Sequence, residues 1–293
     1  MKKIIWTLAA VFCCIATASA QNAEEGRNRT YNIVLDKVEY THRNDKMSTG
    51  EAVSKLVTGI LSGKTDVQAT KYEGDVKTAI IKGLSSSYRY RYNEAMEKSG
   101  DGAEEGNLVV DATITNIQAK SSSRTWKDKD DKTQVSTTYT GIVEATLNIK
   151  DAKTGNVVGS PTVKGQSSDF SSSSSSDKAI KDAIGRLTGS IASWLNKYKP
   201  LRANIIEGST AKKNKQKEVY IDLGSSEGAF EGLHMTVYQV KTIAGREAKS
   251  QIGKLRIEAV EGDDISRCKV QSGGKDIKEC IDNGEKLVVM SNE

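Results

Sequence analysis

Apolar positions along this chain follow two different periods, and the pattern changes after Pro200. Residues 31–40, Tyr-Asn-Ile-Val-Leu-Asp-Lys-Val-Glu-Tyr, are rich in strand formers and predict a buried strand opening a first domain. Ser48-Thr49-Gly50-Glu51 has the form of a capping box, and Val53, Leu56, Val57, Ile60 and Leu61 follow it at helical spacing. Val76, Ala79, Ile80 and Leu84 predict a second, shorter helix. Tyr88-Arg89-Tyr90-Arg91-Tyr92 alternates with period two, so it is expected to be a strand whose tyrosines pack in the sheet rather than form a ligand platform. Residues 108–117 and 140–149 predict two more strands. The second runs into Asp151-Ala152-Lys153-Thr154-Gly155-Asn156, a strong turn signal, and Val157-Val158 restarts an extended segment. The clearest helical stripe is Ile180, Ile184, Leu187, Ile191, Leu195 and Tyr198, with Lys197 and Lys199 at its negative dipole end and Pro200 as its stop.

Residues 201–216 read as a polar, lysine-rich linker. Beyond them only short strands and glycine turns are expected. Val219–Leu223, Met235–Val240, Lys254–Val260, Cys268–Val270 and Lys286–Met290 have the spacing of a small five-stranded barrel. The predicted fold class is α+β: a mixed sheet packed by helices over residues 21–200, then an all-β barrel over 217–293.

The first twenty residues do not belong to that fold. Lys2 and Lys3, an apolar run from Ile4 to Ala16 and then Ala18-Ser19-Ala20 have the layout of a secretory signal peptide. The run is shorter than the roughly 20 residues a membrane-spanning helix needs. Cleavage is expected before Gln21, giving a periplasmic or secreted product. A lipoprotein signal acylated at Cys13 or Cys14 is the rival reading, but Phe12 fits that site poorly.

Export changes what the remaining residues can mean. With the leader gone, the net charge falls from +5 to about +3, too little for wholesale nucleic-acid binding. Lys212, Lys213, Lys215 and Lys217 form a basic run without interleaved aromatics, which reads as solvated chain rather than an anion site. At 5 % aromatic residues, a carbohydrate-stacking platform is not expected. Cys268 and Cys280 remain in an oxidising compartment. They are either a disulfide, contributing about 3 kcal/mol in the chain-entropy model, or two idle thiols.

No motif points to catalysis. Gly224-Ser225-Ser226-Glu227-Gly228 matches the G-x-S-x-G nucleophile pattern, but strands follow it where a helix is required, and His234 lies only eight positions on. Ser175 begins an S-x-x-K match with Lys178 inside a serine run, where helix capping by Ser176 or Asp177 explains the residues better. Glu104-Glu105 and Asp263-Asp264 lack calcium-loop spacing and read as solvated turns. His42, among Arg43, Asn44 and Asp45, reads as exposed and idle, and Asn28-Arg29-Thr30 as an incidental sequon. Neither a catalytic residue, a metal ligand nor a cofactor is assigned.

Three runs in the first domain carry a family resemblance: Ile33–Asp36, Asn107–Ile114, and Leu147–Val158 with its strand-Asp-x-x-Thr-Gly-strand hairpin. The domain resembles the secreted α/β module of the curli secretion-channel protein (CsgG-like) and of the lipoprotein activators of penicillin-binding proteins (LpoB-like). Val219–Gly224, Gly232–Tyr238 and Ile252–Leu255 are similar to the C-terminal barrel of a flagellar-ring protein (FlgT-like). The resemblance implies a non-enzymatic scaffold or assembly factor that binds envelope proteins; the alternatives are a homo-oligomeric subunit of a secretion or motility ring, and a serine hydrolase using Ser226. The resemblance carries no catalytic residues. The channel-forming relatives insert two hairpins into a membrane, and the corresponding stretches here are 121–132 and 161–177. Trp126 in the first, with Val163 and Phe170 in the second, cannot supply the alternate apolar positions of a lipid-facing strand. A membrane pore is not expected.

Overall fold

The computed structural model describes residues 28–40, 64–66, 69–100, 102–168 and 175–291. The leader with Cys13 and Cys14, His42, the capping box at 48–51, the helix predicted over 53–61 and Phe170 lie outside them. The chain divides into two compact units, Tyr31–Leu195 and Asn196–Glu293, the second including the segment up to Thr30.

In the first unit, β1 (Tyr31–Tyr40), β2 (Lys64–Asp66), α1 (Glu73–Ser85) and β3 (Tyr90–Tyr92) precede a hairpin of two long strands, β4 (Leu108–Lys127) and β5 (Thr133–Asp151). β6 (Val157–Gly159), β7 (Thr162–Gln166) and α2 (Ser176–Tyr198) complete the unit. The sheet order is β3-β1-β4-β5-β6, with β2 also on β4 and β7 also on β5. β1 is parallel to both β3 and β4 while the other pairs are antiparallel, so the sheet is mixed as expected.

The two helices share one face of this sheet. Ile180, Ile184, Leu187, Ile191 and Leu195 of α2 and Val76, Ile80 and Leu84 of α1 join Ile33, Val110, Ala112, Leu147 and Ile149 in a single core. Tyr198, expected in the α2 stripe, is exposed instead, three residues past the end of this unit. Glycines let α2 lie directly on the strands. A Cβ at Gly141 would stand 2.1 Å from the Ala179 carbonyl oxygen, and one at Gly165 2.0 Å from that of Ala183. Real carbon atoms do not approach so closely, and helix backbone cannot step aside as a side chain can. Gly83 gives the same freedom between the helices, where Thr188 Oγ1 donates to the Ala79 carbonyl at 3.1 Å.

The opposite face carries a smaller cluster of Val34, Met96, Ala103, Val109 and Ala152. Asp36 of β1 pairs with Lys98 of the segment after β3 at 2.6 Å, and Lys150 of β5 pairs with Asp111 of β4 at 2.8 Å. The turn after β5 is held by Asp151, whose carboxylate accepts from Lys153 N, Thr154 N, Thr154 Oγ1 and Gly106 N. These bonds hold its pKa below the ordinary value against the opposing effect of burial. They also give the Asp-x-x-Thr-Gly run its structural purpose. Tyr90 is buried, with its ring 6.0 Å from that of Tyr31, so at least this tyrosine packs in the sheet.

The second unit is a closed antiparallel barrel of six strands, not five. The added strand comes from the expected linker. β8 (Arg202–Lys212) and β9 (Lys215–Ile221) form a hairpin over 202–221, turning at Lys213 and Asn214, both with positive φ. β10 (His234–Ile243), β11 (Arg246–Val260), β12 (Ser266–Ser272) and β13 (Leu287–Ser291) close the barrel in the order β10-β11-β12-β9-β8-β13. The linker reading failed because Leu201 and Ala203 point inward while most of the following residues are solvent-exposed. A strand half inside and half outside a barrel has no continuous alternation to read.

A second correction is α3 (Gly274–Asp282), in a region expected to hold strands and turns only. Gly273, at φ +75°, turns the chain into it, and Ile277 and Cys280 bury one face. Cys268 and Cys280 are free buried thiols in this structure. Burial pushes Cys268 up to about 12. Burial and the neighbouring Glu285 carboxylate push Cys280 up to about 11, so neither is ionised near neutral pH.

Candidate partner-binding ribbon

The inner halves of β4 and β5 belong to the sheet, but the outer halves leave it. β2 accompanies β4 only along Gln118–Lys120, and β7 accompanies β5 only along Ile142–Thr146. Ser167 continues the β7 side by one step, exchanging hydrogen bonds with Gly141 at 2.8 and 3.0 Å. From Ser122↔Thr138 outward to Lys127↔Thr133, the described strands pair only with each other. The result is a two-stranded ribbon whose outer edges no other described strand covers. Such edges present unpaired N–H and C=O groups, which natural proteins normally cover, shorten or charge.

Side chains alternate across the ribbon. Ser122, Arg124, Trp126, Ser136 and Thr138 line an open hollow of about 590 Å³ on one face. Arg124 has no ion pair among the described residues, and Trp126 is 45 % exposed. The other face carries Ser123, Thr125, Val135 and Thr137. Ser123 Oγ and Thr137 Oγ1 bond each other at 3.0 Å, and Val135 is 61 % exposed. The tip closes its own charges. Asp128 accepts from Gln134 Nε2 at 2.8 Å, Lys132 N at 2.9 Å and Asp130 N at 3.0 Å, which holds its carboxyl below the usual range. Lys127 meets Asp131 at 2.8 Å.

This ribbon is the feature that pattern reading did not find. Residues 121–132 read as a charged stretch with one tryptophan, because an exposed two-sided ribbon has no buried face to impose alternation. The β-branched run at Thr133, Val135, Thr137 and Thr138 was the available signal. The other stretch compared with membrane hairpins contains β7, an ordinary sheet strand whose Val163 is buried.

The candidate catalytic groups are not brought together. Residues 225–227 form one 3-10 turn ending at Gly228 in the left-handed conformation. Ser226 Oγ donates to the Asp263 carbonyl and Ser225 Oγ to the Asp263 carboxylate at 3.0 Å, tying the loops around 224 and 263 together. A Cβ at Gly224 would stand 2.2 Å from backbone of that second loop. His234 sits exposed on β10 opposite Arg256, with no hydrogen bond to Ser226 among the described residues. The helix cap near the serine run comes from Ser175, whose Oγ accepts from Lys178 N at 3.2 Å, rather than from Ser176 or Asp177. Asp177 instead receives bonds from Lys71 and Tyr72, which hold its carboxyl far below the usual range. Asn28 of the sequon is buried, with its amide group bonded to both backbone groups of Arg202. Among the described residues, no three metal-ligating side chains converge, and no helix is long and apolar enough to cross a membrane.

No protein-family model matches the chain, and no curated protein matches it. Solved structures do. A putative neuraminyllactose-binding hemagglutinin homolog from Helicobacter pylori is similar at 11 % identity and TM-score 0.31, covering 58 % of this chain and 83 % of that one. The hypothetical protein CT253 from Chlamydia trachomatis shares 10 % identity at TM-score 0.26, over 55 % of this chain and 98 % of its own. Lipoprotein GNA1162 from Neisseria meningitidis shares 14 % at TM-score 0.20, over 57 % and 99 %. Likenesses this distant carry no statement about what the present chain does.

Proposed function

We propose that this chain is an exported, non-enzymatic cell-envelope protein that acts as a scaffold or assembly accessory. In this reading it docks a protein partner by strand addition along the β4–β5 ribbon. The observation that carries it is the outer ribbon, whose two strands pair only with each other among the described strands. An extended partner segment gains main-chain hydrogen bonds there, and Arg124, Trp126 and the hydroxyl side chains supply selectivity. The signal-peptide layout, with the resemblance to curli-channel, penicillin-binding-protein-activator and flagellar-ring modules, supports the periplasmic or secreted location and the assembly role. Ser226 is occupied as a loop fastener, which argues against the hydrolase alternative.

A photo-crosslinking residue at Thr125 or Ser136, introduced in the producing cell, tests this. Discrete adducts with one envelope protein are expected at those positions and not at Lys278 on α3. Absence of adducts at both ribbon positions overturns the reading. A second reading, a ring or other homo-oligomer, is favoured by the ribbon's two edges, which no other described strand covers and which suit head-to-tail addition of copies. The adduct would then be the chain itself, and a strictly monomeric mass in buffer and in detergent removes that alternative.

A further inference from the structure

The barrel has two dissimilar ends. β8 and β10 both run antiparallel to their shared neighbour β13, so the β8–β9 and β10–β11 hairpins project from the same end. α3, which leads into β13, lies at that end as well. Its Gly274 abuts the Gln216 carbonyl of β9, and its Ile277 packs against Gly253 of β11. The fastened loops around 224 and 263 belong to the opposite end.

Charge at the hairpin end is lopsided. Residues 208–217 carry Lys212, Lys213, Lys215 and Lys217 and no acid. Residues 239–250 carry Lys241, Arg246 and Lys249 against Glu247, which is engaged by Lys286 at 3.2 Å. All seven cations are exposed. None has an ion pair among the described residues, although Lys241 lies in the field of Glu285. The nearby acids of α3 are Asp276, Glu279 and Asp282, and Asp282 is taken by Lys278 at 2.9 Å. Seven cations against Glu247 give these two hairpins a net +6, one more than the +5 of the whole chain, so the remainder is not basic on balance.

One side chain does not fit a purely electrostatic surface. Ile243, at the tip of β10, is 62 % exposed and stands opposite Arg246 across a turn made by Ala244 and Gly245. An aliphatic tip flanked by Lys241 and Arg246 suits a bilayer interface, where the apolar group enters between headgroups and the cations meet their phosphates. No aromatic ring lies in 208–217 or 239–250, so the stacking that single-stranded nucleic acid uses is missing. We infer that the hairpin end of the barrel docks on an anionic phospholipid surface, with Ile243 inserted and the two lysine-bearing hairpins in contact with lipid phosphates. This surface is independent of the ribbon, so either reading can fail alone.

Co-sedimentation of the exported chain with vesicles tests it. The readout is the ratio of binding to vesicles with about 30 % phosphatidylglycerol over binding to phosphatidylcholine alone. Any N-terminal lipid contributes to both arms and leaves the ratio unchanged. A ratio above about tenfold is expected, falling toward unity between about 0.1 and about 0.5 M salt. Lys212→Glu/Lys213→Glu/Lys215→Glu should lower anionic binding about a hundredfold, as should Arg246→Glu/Lys249→Glu to a lesser degree. Ile243→Ser should lower it about threefold to tenfold with charge unchanged. Unchanged thermal unfolding would show that these exposed variants still fold. Equal binding to both vesicle types overturns the inference. So does equally tight binding to single-stranded DNA combined with indifference to Ile243→Ser, which would mark a general polyanion site instead.

Discussion

The β4–β5 ribbon and the barrel hairpins are built alike, as antiparallel pairs running past the body that holds them, yet they treat charge in opposite ways. At the ribbon tip, Lys127, Asp128, Asp131 and Gln134 satisfy one another within a few residues. At the barrel, six of the seven hairpin cations have no acid paired or coupled to them among the described residues. Charges closed within a turn cost a partner nothing to approach and offer it little. Charges left open attract over the Debye length, about 10 Å at 0.1 M salt, and weaken as salt rises. The ribbon is therefore equipped for short-range recognition through backbone edges and hydroxyls, and the barrel end for salt-sensitive attraction.

Four experiments press on that contrast, in decreasing order of expected effect. Gly141→Val, at the seated base of the same hairpin, drives a side chain into the α2 backbone and should cost more than about 3 kcal/mol in urea unfolding. A stable variant would mean that β5 and α2 are not packed as described. The barrel's interior gives the next effect. Cys268 keeps its proton when folded up to about 12, against an ordinary 9.0, so the folded state binds the extra proton between those values. Its contribution is fully present below about pH 9 and is lost as pH rises through about 12, so stability should fall on that limb. Cys268→Val should flatten the fall, and neither thiol should react with a labelling reagent before unfolding. Rapid native labelling, or a disulfide in place of the free thiols, contradicts this.

Asp128→Ala should leave global stability nearly untouched and accelerate amide exchange within 127–134 only. Because its bonds depress the carboxylate pKa, wild-type protection there should persist below the usual carboxylate range and disappear as pH falls through the lowered value. Protection that vanishes only with global unfolding would contradict the separate, self-closed turn. Val135→Ser on the exposed ribbon is the smallest change, within about 0.5 kcal/mol. A larger loss would show that the ribbon is covered by something in the isolated chain.

Much of the architecture was legible because burial on one side imposes a period. The α2 stripe from Ile180 to Leu195, the inner half of β4 and the Asp151 turn are all written in local residues. Legibility stopped where an element had two solvent-facing sides, as in the outer ribbon, or only a few inward residues, as in β8 and α3. The glycines at 141 and 165 could have been read as close-approach sites within strands, but their partner helix could not have been named.

By itself, then, the order of residues determined which segments had to bury a face and where the chain turns. Those are local properties, carried by neighbours in the chain. Only the tertiary structure decided that 201–216 closes a sixth strand, that β4 and β5 outrun their sheet, and that two hairpins 30 or so residues apart project from one end of a barrel. Strand pairing and barrel closure join residues remote in sequence, and no periodicity within a single segment encodes which remote segment will lie beside it.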